Sequence, residues 1–138
     1  MSALENQEVP FPELPNGAGK IDTDAAPSLT STQSGLKYRI LRRGTGASPR
    51  AAASVEVNYH GWLANGKVFD SSYERRQSIS FPLNRVIAGW TEGMQLVGEG
   101  GMIELEIPSA LGYGDRGAPP DIPPKTTLHF LVELIKVK

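Results

Sequence analysis

From residue 35 onward, apolar and polar positions alternate over short runs, which is the period of strands rather than of helices. In Ser54 to Trp62, the residues Val55, Val57 and Tyr59 fall on one face and Glu56, Asn58 and His60 on the other, predicting a half-buried strand. Met102 to Ile107 repeats the pattern, with Ile103, Leu105 and Ile107 inward, Glu104 and Glu106 outward, and Pro108 as the stop. Thr127 to Val137 extends it: Leu128, Phe130, Val132 and Leu134 share a face, while His129, Leu131, Glu133 and Ile135 take the other. Leu36 to Leu41 and Ile79 to Leu83 are weaker strand candidates. One segment departs from this period. Val86, Trp90, Met94 and Val97 recur at helical spacing and Gly98 supplies a stop, so a helix is expected over 86–97. About five strands and one short helix predict an α+β domain in which a twisted antiparallel sheet covers the helix. Between Leu111 and Thr126, four prolines and three glycines predict an ordered but irregular loop.

Residues 1–34 follow neither period. They hold Pro10, Pro12, Pro15 and Pro27, a single aromatic (Phe11), and one lysine against five acids. That composition predicts an acidic, solvated and disordered segment ahead of a domain spanning 35–138. The alternative is that a piece such as Val9–Pro10–Phe11–Pro12 docks on the body or on a neighbouring molecule.

Length and charge narrow the function. A chain of 138 residues suits one domain. With 14 basic against 15 acidic side chains it has no electrostatic footprint for a phosphate backbone, so no nucleic-acid partner is expected. Cysteine is absent, which excludes disulfides, thiolate metal sites and thiol nucleophiles. His60 and His129 lie far apart and outside any HxH or HExxH spacing, so neither a metal nor another cofactor is expected. No run of about 20 apolar residues exists to span a membrane. Met1 to Lys20 lack a basic and an apolar leader region, so a cytoplasmic protein is expected, or a periplasmic one where a leader has been removed.

Most bond-breaking chemistry lacks its parts: there is no phosphate loop, no GxSxG elbow and no closely spaced acid pair on a helix. Aromatic residues are what stand out, namely Tyr59, Trp62, Phe69, Tyr73, Phe81, Trp90, Tyr113 and Phe130. Core packing alone accounts for Phe81. Trp90, on the predicted helix and beside Gly89, could instead form the floor of a concave pocket walled by strand and loop aromatics.

The runs GLKYRILRRGTG (35–46), VEVNYHGWLANGKVFDSSYERRQSISFPL (55–83), VIAGWTEGMQL (86–96), IPSALGYGDRG (107–117) and IPPKTTLHFLVELIKV (122–137) together resemble the FKBP-type peptidyl-prolyl cis–trans isomerases, in order and across 35–138. The wording is nearest to bacterial members. The resemblance implies an antiparallel sheet half-wrapped around a short helix, in agreement with the periodicity. It implies a pocket with Trp90 as the floor for a prolyl ring, Tyr59, Phe69 and Phe130 as walls, Ile79 at a wall position that is aromatic in many relatives, Val86 in the lining, and the Ile87 N–H as donor to a peptide carbonyl. Tyr113 would reach the substrate through its hydroxyl and Asp70 would set a carboxylate at the edge. Asp70, Tyr113, Phe69 and Trp90 are thereby the expected catalytic residues, and Tyr59, Ile79, Val86, Ile87 and Phe130 the substrate-binding ones. The implied partners are proline-containing peptides and unfolded proteins, with macrolides of the tacrolimus or rapamycin type as candidate ligands. Two other readings stay open, a prolyl-peptide or partner-protein binding module without turnover, and a folding chaperone independent of the pocket. Only Asn84 and Arg85 separate Leu83 from Val86, which trims that edge relative to some relatives, and residues 1–34 are too short and proline-interrupted for the helical dimerisation domain of larger ones, so a monomer is expected.

Overall fold

The alternating runs are all realised as strands. The computed structural model describes residues 8–138, in the order β1 (Thr30–Ser31), β2 (Lys37–Arg42), β3 (Ser54–Leu63), β4 (Val68–Ser71), α1 (Ser72–Arg75), β5 (Ile79–Pro82), α2 (Ala88–Gly93), β6 (Met102–Ile107) and β7 (Leu128–Val137), with single 3-10 turns at Leu83–Arg85, Met94–Leu96 and Ser109–Leu111. All pairings are antiparallel, and the strand order is β1-β2-β6-β7-β3-β4. β5 pairs with Ser54 to Val57 and β4 with His60 to Trp62, so the two short strands share one edge of β3.

The inward positions meet the single longer helix on the concave face. Val55, Val57, Ile103, Leu105, Ile107, Leu128, Val132 and Leu134 are buried there with Trp90 and Met94. The helix is shorter than the spacing predicts: Val86 and Ile87 are extended, and after Gly93 the chain tightens into a 3-10 turn. Glycine is a poor helix former, yet Gly89 and Gly93 are what allow α2 to sit so near the sheet. A Cβ on Gly89 would lie 2.6 Å from Ile107, and one on Gly93 would lie 2.6 Å from Leu105. Close packing thus offsets weak local propensity.

The convex face carries the main departure from expectation. Residues 8–34 are laid across it as a strap, where a disordered segment was expected; residues 1–7 fall outside the described part. Leu14, Ala18 and Ile21 pack with Trp62 on a second buried cluster of Leu41, Tyr73, Met102 and Leu131. The strap's own Thr30 and Ser31 pair with Tyr38 and Lys37 as β1, so the sheet begins before residue 35.

Charge anchors the strap. Arg39 projects from β2 to the convex side, is 1% exposed, and meets Glu104 through Nε at 2.9 Å and Nη2 at 2.8 Å. The same guanidinium donates to the strap carbonyls of Val9 (2.8 Å), Pro10 (3.1 Å) and Ala26 (3.4 Å) and sits 4.5 Å from the Phe11 ring centroid. The Val9–Phe11 piece is therefore docked, by hydrogen bonds to its main chain as well as by the Arg39 cation over the Phe11 ring. Glu104, read from alternation as solvent-facing, is 7% exposed and paired with the buried Arg39. Further along, Asp22 N–H donates to Leu41 O at 2.7 Å, and Arg43 pairs with Asp24 at 2.8 Å.

Candidate functional site

Alternation aims Tyr59 inward from β3, and the next inward position is Gly61. A Cβ at Gly61 would lie 2.7 Å from Phe69 Cζ and 2.8 Å from Phe130 Cε1, so glycine here gives those two rings their room. They meet edge to face, centroids 5.4 Å apart. β4 contains an irregularity: Gly61 opposes Asp70 while Trp62 opposes Val68, leaving Phe69 as an extra residue. A bulge of this kind breaks strand alternation and re-aims side chains. In consequence Phe69 and Asp70, neighbours in sequence, both serve the same site, Phe69 against Phe130 and Asp70 against the Tyr59 hydroxyl.

Trp90 enters from α2 and is 5% exposed. Its indole is bounded edge-on by Tyr59 (5.4 Å, 84°) and Phe130 (5.2 Å, 89°), and tilted against Phe81 (5.4 Å, 57°). Such edge-to-face pairs add about 0.5–1.5 kcal/mol each beyond area burial, so the ring set is rigid as well as apolar. Val86 and Ile87 are half-buried against the same cluster. Ile87 caps α2, its carbonyl accepting from Trp90 N–H at 3.0 Å, and among the described residues no acceptor takes its own N–H.

At the polar end, the Tyr59 hydroxyl donates to Asp70 Oδ2 and Arg75 Nη1 pairs with Asp70 Oδ1, while Arg75 Nη2 donates to the Tyr59 hydroxyl at 3.0 Å. Burial and the bond to Asp70 hold the Tyr59 hydroxyl above its ordinary range, keeping it a protonated donor. Burial alone would raise Asp70, but the bonds from Tyr59 and Arg75 and the charge of Arg75 outweigh it, so the carboxyl stays below its ordinary range and anionic.

The structure thus brings together Tyr59, Phe69, Asp70, Val86, Ile87, Trp90 and Phe130. Ile79 and Tyr113 stand apart from this cluster, 40% and 42% exposed. Tyr113 is carried by a loop whose turns are closed by Gly117 N–H to Tyr113 O (3.1 Å) and Lys125 N–H to Gly114 O (2.9 Å). Two residues escaped the sequence reading. Phe81, taken as plain core, touches Trp90 directly. Arg75 was legible in principle: Ser71-Ser72-Tyr73-Glu74 is a capping-box pattern that predicts a helical turn after Asp70, and Ser71 Oγ does accept from Glu74 N–H at 3.4 Å.

Comparison with known proteins agrees with this geometry. The family model described as FKBP-type peptidyl-prolyl cis-trans isomerase matches residues 46–135. The chain is 52% identical over 109 residues to a probable FKBP-type peptidyl-prolyl cis-trans isomerase of Haemophilus influenzae, covering 79% of this chain and 45% of that one. It is 43% identical over 136 residues to the FKBP-type peptidyl-prolyl cis-trans isomerase FkpA of Aeromonas hydrophila, covering 99% and 48%. The crystal structure of FkpA from Escherichia coli superposes with a TM-score of 0.77 at 46% identity, covering 80% of this chain and 51% of that one. The chain spans about half the length of these relatives.

Proposed function

Because the chain belongs to the FKBP-type peptidyl-prolyl cis–trans isomerases, we propose that it accelerates rotation about X–Pro bonds in proline-containing peptides and unfolded proteins. Resonance holds that bond planar behind a barrier of ~18–20 kcal/mol, and uncatalysed exchange takes tens to hundreds of seconds. No covalent bond need break. When the imide twists, nitrogen loses conjugation and the carbonyl becomes less polar, so an apolar site tolerates the twisted form better than the planar one. Preferential binding of that form is the condition for catalysis, each ~1.4 kcal/mol of preference giving a factor of ten.

One observation carries the reading: a nearly buried indole, Trp90, bounded by Tyr59, Phe81 and Phe130, with Phe69 continuing the wall and an ordered carboxylate at one end. The prolyl ring rests on Trp90 between Tyr59, Phe69 and Phe130, beside Val86. The Ile87 N–H donates to a peptide carbonyl, and Tyr113 and Ile79 contact the substrate from the exposed rim. Asp70 acts by orienting Tyr59 and by its fixed negative charge; the hydroxyl and guanidinium already bonded to it support that role over proton transfer, which rotation does not require. Macrolides of the tacrolimus or rapamycin type would compete for the same apolar floor. A monomeric state is supported by short edge strands and a convex face covered by the chain's own strap. We read its place of action as the cytoplasm, or the periplasm where a leader is removed.

A protease-free assay on a proline tetrapeptide tests the reading. Wild type should accelerate exchange strongly, with Trp90→Ala and Asp70→Ala each losing about tenfold or more. Equal slow rates in all three would leave a binding module, and aggregation suppression that survives Trp90→Ala would favour a pocket-independent chaperone.

A further inference from the structure

Arg75 reaches the pocket from α1, and α1 is a single turn of four residues. A helix of that length does not hold itself in water. Part of what holds it is local. Ser72 Oγ accepts from Tyr59 N–H at 2.8 Å and donates to Asn58 Oδ1 at 2.9 Å, which ties the start of the turn to β3.

The rest comes from the convex face. Tyr73 is buried in the cluster that the strap covers, in company with Leu14, Ala18 and Ile21, and Gly17 lies against its ring. Its hydroxyl donates to Glu133 Oε1 at 2.5 Å. Glu133 in turn accepts from the strap's Gly19 N–H at 3.2 Å and from Arg42 at 2.6 Å, and Arg42 donates to the strap carbonyl of Lys20 at 3.0 Å. One carboxylate therefore joins the strap, β7, β2 and α1.

Residues of a helix step by about 100°, so positions 73 and 75 point to nearly opposite sides of the turn. Tyr73 faces the strap and Arg75 faces Asp70 and Tyr59. Rotation or lifting of the turn cannot move one without the other.

We propose that Tyr73 is a positioning residue for the pocket: clamped by Glu133 and the strap, it fixes α1 so that Arg75 meets Asp70 and Tyr59, and strap docking is thereby coupled to turnover. This rests on the isomerase reading, since it deepens the role of that same site.

The test is a double-mutant cycle on the full chain, with kcat and KM for a proline tetrapeptide measured in wild type, Tyr73→Phe, Arg75→Ala and the double variant. Phenylalanine keeps the buried ring and removes the hydroxyl. Tyr73→Phe should lower kcat/KM by about two- to tenfold, and in the Arg75→Ala background it should cost nothing more, because the route through Arg75 is already cut. NMR titration of the Asp70 carboxyl supplies a readout that loss of bulk stability would not move: Tyr73→Phe should raise its midpoint toward that of Arg75→Ala. Should Tyr73→Phe fail to fold, Glu133→Gln takes its place in the same cycle with the same expectations. Unchanged kcat/KM, or losses that multiply in the double variant, overturn the coupling while wild-type turnover leaves the isomerase reading standing. A wild type without turnover overturns both.

Discussion

Replacing Arg39 by methionine keeps most of the stem's volume and deletes the guanidinium that holds the strap. What is lost can be enumerated: two contacts to Glu104 below 3 Å, three bonds to strap carbonyls, and the stack on Phe11. Removing one partner of a buried ion pair costs about 3–5 kcal/mol, because the other charge remains dry. The three carbonyls do not add in full, since the strap can lift into water and leave them hydrated rather than orphaned. For a chain of this size about 3–5 °C of melting temperature goes with each kcal/mol, so a fall on the order of 10–20 °C is expected at neutral pH.

The pH dependence has a definite sign. Burial already holds the Glu104 carboxyl above its ordinary range, with Arg39 opposing; without Arg39 it moves further up. An acid whose folded value is raised contributes stability below its ordinary value, and that contribution is lost as pH rises through the raised one. The deficit of Arg39→Met should therefore be greatest near neutrality and shrink toward about pH 4. Adding Glu104→Gln should recover part of it. Thermal unfolding of the three proteins at both pH values decides the matter. An Arg39→Met variant melting within about 2 °C of wild type at neutral pH, or a deficit that grows on acidification, would mean that the guanidinium does not anchor the strap.

Two further substitutions probe the close approaches. Gly61→Ala would set a methyl within 3 Å of both Phe69 and Phe130, so ring displacement should cost about 1–3 kcal/mol in unfolding and depress kcat/KM together; wild-type turnover with an alanine there would show that the Phe69–Phe130 geometry is irrelevant to the reaction. In Gly89→Ala, about 1 kcal/mol of helix propensity should be outweighed by the 2.6 Å contact with Ile107, lowering the unfolding midpoint in denaturant, where an increase would mean that the helix has slack against the sheet.

Period-2 alternation located β3, β6 and β7 to within a residue or so because each has one face on the concave core. β4 was missed for a physical reason: the bulge at Phe69 breaks the alternation that would have revealed it, and the same bulge is what brings Phe69 and Asp70 to one site. The motif around Asp70 and Trp90 marked the centre of the pocket, but not Arg75 or Phe81, whose roles depend on contacts across elements. The strap was illegible since its prolines and polar residues carry no period, and its anchor points, Arg39 and Glu104, sit at strand positions that alternation assigns to solvent. Leu131 was the available hint, an apolar residue on the outward face of β7 that is buried beneath residues 14–21.

The Arg39 guanidinium holds its strap through three peptide oxygens, whatever side chains residues 9, 10 and 26 happen to bear, and through one ring, that of Phe11. At those three positions, docking of this sort reads the path of a chain and not its spelling. A related chain is therefore free to change residues 9, 10 and 26 and still lie in the same place, provided the ring at 11, the apolar side chains at 14 and 21 and the length between the contact points are kept.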